Sequence, residues 1–172
     1  SCSSGIPGSY ESKGMQPEIY PDYRDVTVPC NISPLTFRVV DEGDASVIRF
    51  AAGDREFVAE GPEAVIPAEE WAALVAAATG SSITVDVFVE KGGKWSKFAP
   101  FCLHVSRDSI DPYISYRLIP PSYVAYENLS ISQRNLENYD EEIIYHNRLV
   151  VSEPDGQCIN CHAYKNYSTD NM

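Results

Sequence analysis

The sequence predicts a mainly β chain: an antiparallel, sandwich-like domain with one short helix, followed by an irregular, tyrosine-rich arm. Three observations predict it. Short runs of strand composition recur between turn signals from residue 36 to residue 66. Residues 82–90 alternate along the chain and end at Gly92-Gly93, a hairpin signal. Only residues 68–78 carry both the start and the stop signals of a helix. The length of 172 residues suits one domain with an extension, since domains usually run to about 100 to 150 residues. With 44% hydrophobic and 22% charged residues the chain has the composition of a folded protein.

The elements follow in order. Residues 1–16 hold Ser1, Ser3, Ser4, Gly5, Pro7, Gly8, Ser9, Ser12 and Gly14, and read as a flexible, lipoprotein-type tether. Residues 17–110 form the sandwich-like domain with an extended lead-in, because Pro17, Pro21, Pro29 and Pro34 keep residues 17–35 out of a central strand. Strands are expected at 36–40, 45–51, 56–60 and 64–66, separated by Glu42-Gly43-Asp44, Gly53-Asp54 and Gly61-Pro62. Pro67 stands at the first turn of the helix, Glu69 and Glu70 near its positive end, and Gly80 just past its stop. Trp71, Leu74 and Val75 then share its buried face. Ile83, Val85, Val87 and Val89 lie on one face of the following strand with Phe88 on the other, and the chain returns as residues 95–105. Beyond Asp111-Pro112 regular strands are expected to end. Residues 111–172 form the arm, with a short helix near 140–145 that Asp140 caps.

Composition also excludes classes. Thirteen Lys and Arg against 25 Asp and Glu give a net charge of -12, which repels a phosphate backbone. The sequence shows no basic patch, so nucleic acid is not an expected partner. The longest apolar stretch, residues 71–78, falls far short of the roughly 20 residues of a membrane-spanning helix. No serine, cysteine or carboxylate constellation marks a hydrolase, and the chain is not expected to be an enzyme.

The five cysteines divide into three kinds. Cys2, after the small Ser1, resembles the lipid-bearing first residue of a mature bacterial lipoprotein; the alternative is a surface thiol near a frayed end. Cys158-Ile159-Asn160-Cys161-His162 is a C-x-x-C-H string. Two intervening residues let both sulfurs reach the vinyl groups of haem c while the next imidazole falls beneath the iron. A chance occurrence in a chain of this composition is well below about one in a hundred. A redox dithiol lacks its strand-to-helix context here, and a zinc site lacks a second ligand pair. Structural or idle thiols are the remaining alternative. His162 is therefore the expected proximal ligand, with His146 or Met172 as sixth ligand or an open iron. His104 reads as an ordinary imidazole in a strand, and the tyrosines as packing or as a porphyrin wall.

The order of motifs resembles a family. Tyr20-Pro21-Asp22-Tyr23, Val26-Thr27-Val28-Pro29, Asn31-Ile32-Ser33-Pro34-Leu35-Thr36-Phe37, then residues 111–119, Gln133-Arg134-Asn135-Leu136, Asn147-Arg148-Leu149 and the C-x-x-C-H string are similar to the N-terminal region of Bacteroidota envelope lipoproteins. In that family the region continues into a TolB-like β-propeller and is labelled cytochrome c-like. The resemblance implies an outer-membrane lipoprotein facing the periplasm or the cell surface, attached only through a lipid on Cys2. It also implies envelope proteins, or a C-terminal propeller beyond this chain, as partners. Cys30 and Cys102 stand outside the shared pattern. As the even pair left after the other assignments, they are expected to form a disulfide in an oxidising compartment.

Two functional classes follow: a periplasm-facing cytochrome c-like module for electron transfer or for redox or ligand sensing, and a non-enzymatic envelope interaction domain whose cysteines are structural.

Overall fold

The computed structural model describes residues 5–119, 129–147, 149 and 163–168. Contacts divide the chain into two units, Ser1–Asp111 and Pro112–Met172. The first holds β1 (Glu11–Ser12), β2 (Ile19–Tyr20), β3 (Thr27–Val28), β4 (Phe37–Val39), β5 (Ala45–Ala52), β6 (Arg55–Glu60) and β7 (Glu63–Ala64). It continues with α1 (Ala68–Ala78), β8 (Ser82–Lys91), β9 (Lys94–Lys97) and β10 (Phe101–Val105). The second holds β11 (Tyr113–Leu118), β12 (Ser130–Asn135), β13 (Glu141–His146) and a 3-10 turn at Lys165–Tyr167. The architecture is mainly β, as the alternation and turn signals require.

A seven-stranded sheet is built around β8, with β5 on one side and β9 followed by β10 on the other. The β8–β9 turn is Gly92-Gly93, with φ of 60° and 77°. Two successive positive φ values define the mirror-image turn that matches strand twist, and glycine adopts it without a steric cost. The expected single return strand is broken after Lys97. Phe88 pairs with Lys97 and Val85 with Phe101, while the Phe98 N–H donates to the Val87 carbonyl. Ala99 and Pro100 therefore oppose Asp86 alone, the two-against-one count of a β-bulge. Pro100 has no N–H to offer the ladder, and Ala99 gives its own to Met15 instead. The bulge has a packing consequence. Phe98 and Phe101, three residues apart, both turn into the core, where each is at most 2% exposed.

The inner face of this sheet is covered by a three-stranded sheet, β2–β4–β7, and by α1. Phe37 of β4 contacts Phe50 of β5 and Phe101 of β10, with ring centroids 6.1 and 6.0 Å apart. The helix buries Trp71, Leu74, Val75 and Ala78 and leaves Glu69 and Glu70 exposed, the face its spacing predicts. Its first turn closes through Trp71 N–H to the Pro67 carbonyl, and the Trp71 indole N–H donates to Ile32 of the lead-in at 2.7 Å. After Thr79, Gly80 takes φ +75° and donates to Val105, tying the end of the helix to β10.

Residues 5–16 are not the free tether that their composition suggests. β1 pairs in parallel with β9, Lys13 N–H reaches Lys97, the Tyr10 ring packs edge-on against Phe88 at 5.2 Å, and the Lys13 ammonium sits over Phe98. This strap lies against Phe88, an aromatic residue on the outer face of β8, which is 2% exposed. The lead-in keeps to the edge as its prolines require: among the described residues β3 pairs only with β10, in parallel.

The arm is more regular than expected. β11, β12 and β13 form an antiparallel sheet, and residues 141–146 are strand where a short helix was anticipated. The reason is the turn before them. Asn135 and Asn138 side chains accept the N–H groups of Glu137 and Asp140, and the Asn135 N–H donates to the Asp140 carbonyl. These local bonds close a hairpin instead of capping a helix.

Leu74 is 1% exposed within the core. Leu74→Asp should destabilise the protein by about 3 kcal/mol or more, because it buries an unpaired charge. Denaturant unfolding monitored by circular dichroism measures it.

Candidate functional site

Cys158, Cys161 and His162 lie outside the described residues, as do Cys2 and Met172. The described chain stands on both sides of the C-x-x-C-H string, on the small sheet of the second unit. On the upstream side, β13 ends at His146, in register with Ser130 of β12. The Asn147 N–H donates to Leu129, and Leu149 N–H to the His146 carbonyl. Asn147 is 3% exposed and His146 half-buried. On the downstream side, two residues beyond His162, the Tyr164 hydroxyl donates to the Ser115 hydroxyl of β11 at 2.7 Å across a partly buried contact. Both ends of the segment carrying the string thus meet one three-stranded sheet.

That sheet carries a polar cross-strand trio. Arg134 of β12 holds Glu141 of β13 at 2.5 Å, and the Tyr116 hydroxyl of β11 also bonds the Glu141 carboxylate. The tyrosine hydrogen bond and then the guanidinium hold the Glu141 carboxyl below the usual carboxylate range, while the same bond pushes the Tyr116 phenol up. A recess of about 350 Å³ beside them is lined by Tyr113, Gln133, Asn135, Asn138, Asp140 and Glu141 among others. Of the remaining arm tyrosines, Tyr123 and Tyr126 fall outside the described residues, and Tyr113 and Tyr139 are exposed.

Among the described residues no group of three or more His, Cys, Asp or Glu is placed to hold a metal. No helix among them is long and apolar enough to cross a membrane. His104 is an exposed strand residue whose Nδ1 lies 2.8 Å from the Ser82 hydroxyl, the ordinary role its position predicts.

The disulfide expectation is corrected: Cys30 and Cys102 carry free thiols. Strand register separates them. Val28 of β3 lies beside Val105, so Cys30 falls near Arg107, whose carbonyl its thiol meets at 3.7 Å. Cys102 lies five residues earlier, with its N–H on Asp25. At about 3.3 Å per residue this offset is roughly 16 Å, far beyond the ~7 Å limit for a disulfide.

Two features of the first unit escaped the sequence. Asp86, 4% exposed on the outer face of β8, is bonded at 2.8 Å by both Arg49 and Lys97, and Arg49 also holds Glu56 at 2.7 Å. Two cations neutralise the buried charge, Glu56 balances the surplus positive charge they bring, and the Lys97 ammonium lies 5.6 Å from the centroid of the Phe88 ring. The available signal was an acid inside an otherwise apolar alternating strand. The second feature is a cleft of about 910 Å³ where the chain crosses between the two sheets of the first unit, lined by Gly5, Tyr20, Arg38, Glu60 and Trp95 among others. Comparison of the chain with family models, curated proteins and solved structures gives no match.

Iodoacetamide added to the unfolded, unreduced protein should label both Cys30 and Cys102. Peptide mass spectrometry reads the two adducts, and an unlabelled linked pair of peptides would contradict the register.

Proposed function

We propose that this chain is a periplasm-facing, cytochrome c-like module of an outer-membrane lipoprotein, used for electron transfer or for redox or ligand sensing. The observation that carries the reading is the contiguous Cys158-Ile159-Asn160-Cys161-His162 string. Two thiols and an imidazole at this spacing are the donor set that covalent haem c requires, and a chance origin is poor. Bound haem would supply a one-electron couple at the iron. The protein would hold it through Cys158 and Cys161, with His162 as proximal ligand. His146 remains the described candidate for the sixth position, and Met172 the other. The attachment of flanking residues to β11 and to the end of β13 supports the reading, since a tethered cofactor needs a fixed frame to set its ligation. A lipid on Cys2 would be the membrane attachment, and envelope proteins or a following β-propeller the partners.

One observation favours the second class, an interaction domain with structural cysteines. Ile119, Ile143 and Leu149 are each about 60% exposed in the second unit, and apolar side chains left in water mark contact surfaces.

Co-expression with the haem-maturation system and denaturing mass spectrometry of the exported protein separate the two classes. One haem mass should remain bound, Cys158→Ala with Cys161→Ala should abolish it, and His162→Ala should retain it with an altered Soret band. Free or disulfide-linked Cys158 and Cys161 without haem would replace the cytochrome reading with the interaction domain.

A further inference from the structure

The geometry points to a fixed seat for the first unit on the membrane, with the face around the Gly5–Trp95 cleft held at the lipid headgroups. The inference rests on the reading of Cys2 as the lipid-bearing residue. Its basis is the length of the leash. Had residues 1–16 been free, the domain would hang well clear of the bilayer. Instead β1, Tyr10 and Lys13 are docked on β9, Phe88 and Phe98. Gly5 is half-buried against Glu60, where a Cβ on residue 5 would run into the carboxylate. Only three peptide units separate Cys2 from Gly5, and at 3.8 Å each their α-carbons lie at most about 11 Å apart. The headgroup layer on each side of a bilayer is itself roughly 5 to 8 Å deep. An acyl chain on Cys2 therefore holds Gly5 within that layer or at most a few Å above it.

What surrounds Gly5 suits the position. Tyr20, 75% exposed, Val40, 45% exposed, and the half-buried Trp95 line the same cleft. Tyrosine and tryptophan are the side chains that settle at membrane–water interfaces. The Arg38 side chain, also on the cleft, makes no hydrogen bond or ion pair among the described residues. Four acids share the cleft with Arg38: Asp41 accepts the Glu18 N–H, Asp44 the Gly92 N–H, Glu42 faces Lys91 at 3.8 Å and Glu60 lies against Gly5, so the ammonium groups of phosphatidylethanolamine are the headgroup charges this face can meet.

The full chain, exported and lipidated, is reconstituted into phosphatidylethanolamine–phosphatidylglycerol vesicles carrying a headgroup nitroxide. The protein has two tryptophans, and Trp71 is core-buried at 2% exposure; Trp95→Phe therefore gives the background. Trp95 emission should fall about twofold at the headgroup depth. A flexible Gly-Ser spacer of about 15 residues between Ser4 and Gly5, spanning roughly 20 Å, should remove the quenching. An acylated, vesicle-bound protein whose Trp95 is not quenched, or is quenched equally with the spacer, overturns the fixed seat alone. Absence of an acyl mass on Cys2 overturns the lipoprotein reading, and the seat with it.

Discussion

The described fold of the first unit depends on one strand being buried on both faces. β8 has neighbours along both edges, so its backbone is satisfied laterally, and its side chains need a cover above and below. The inner face, Ile83, Val85, Val87 and Val89, is closed by α1 and by β4 with its Phe37 wedge. The outer face is harder to close, because it presents Asp86 beside Phe88. Arg49 and Lys97 neutralise the acid, and the N-terminal strap covers the ring. Apolar burial on one side and charge pairing on the other thus fix the same strand. The second is the more demanding, since a buried carboxylate that lost one cation would be left poorly compensated.

How far the sequence discloses this depends on where each signal resides. The helix is legible to its limits because Pro67, Glu69, Glu70 and Gly80 act locally, and α1 spans the residues they bracket. The β8 hairpin is legible for the same reason, through Gly92-Gly93. The strap is not: it is held by one ring contact, two cation–ring contacts and a few backbone bonds to residues more than 80 positions away, none of which leaves a periodic trace. The bulge hides likewise, since Phe98 and Phe101 look as if they fall on opposite faces until Ala99 and Pro100 share one partner. In the arm, β11 and β13 are largely exposed and β12 buries Ser130 and Ser132. Buried serines and exposed isoleucines invert the polarity code on which strand recognition rests.

The candidate site divides in the same way. A C-x-x-C-H string is covalent chemistry written in adjacent residues, so it is readable without any fold. Its surroundings are tertiary. Nothing local announces that Tyr164 meets Ser115, or that Tyr116, Arg134 and Glu141 converge across three strands. Elimination misled in the case of Cys30 and Cys102, because counting thiols says nothing of register. The parallel β3–β10 pairing sets those two positions along the same edge but five residues out of step.

That parallel edge also bears on the order in which the chain is completed. β1 and β3 precede their strand partners among the described residues, β9 and β10, by roughly 80 residues. Closing so long a loop is entropically late, and pairings of high sequence separation form slowly. β1 and β3 therefore wait for their sheet partners while the helix and the β8 hairpin assemble from near neighbours. An exposed edge on β9 and β10 persists meanwhile, a template for foreign strands. β1 and β3 are the capping strips that end this vulnerable interval, so the sheet closes with segments that precede its other strands in the chain.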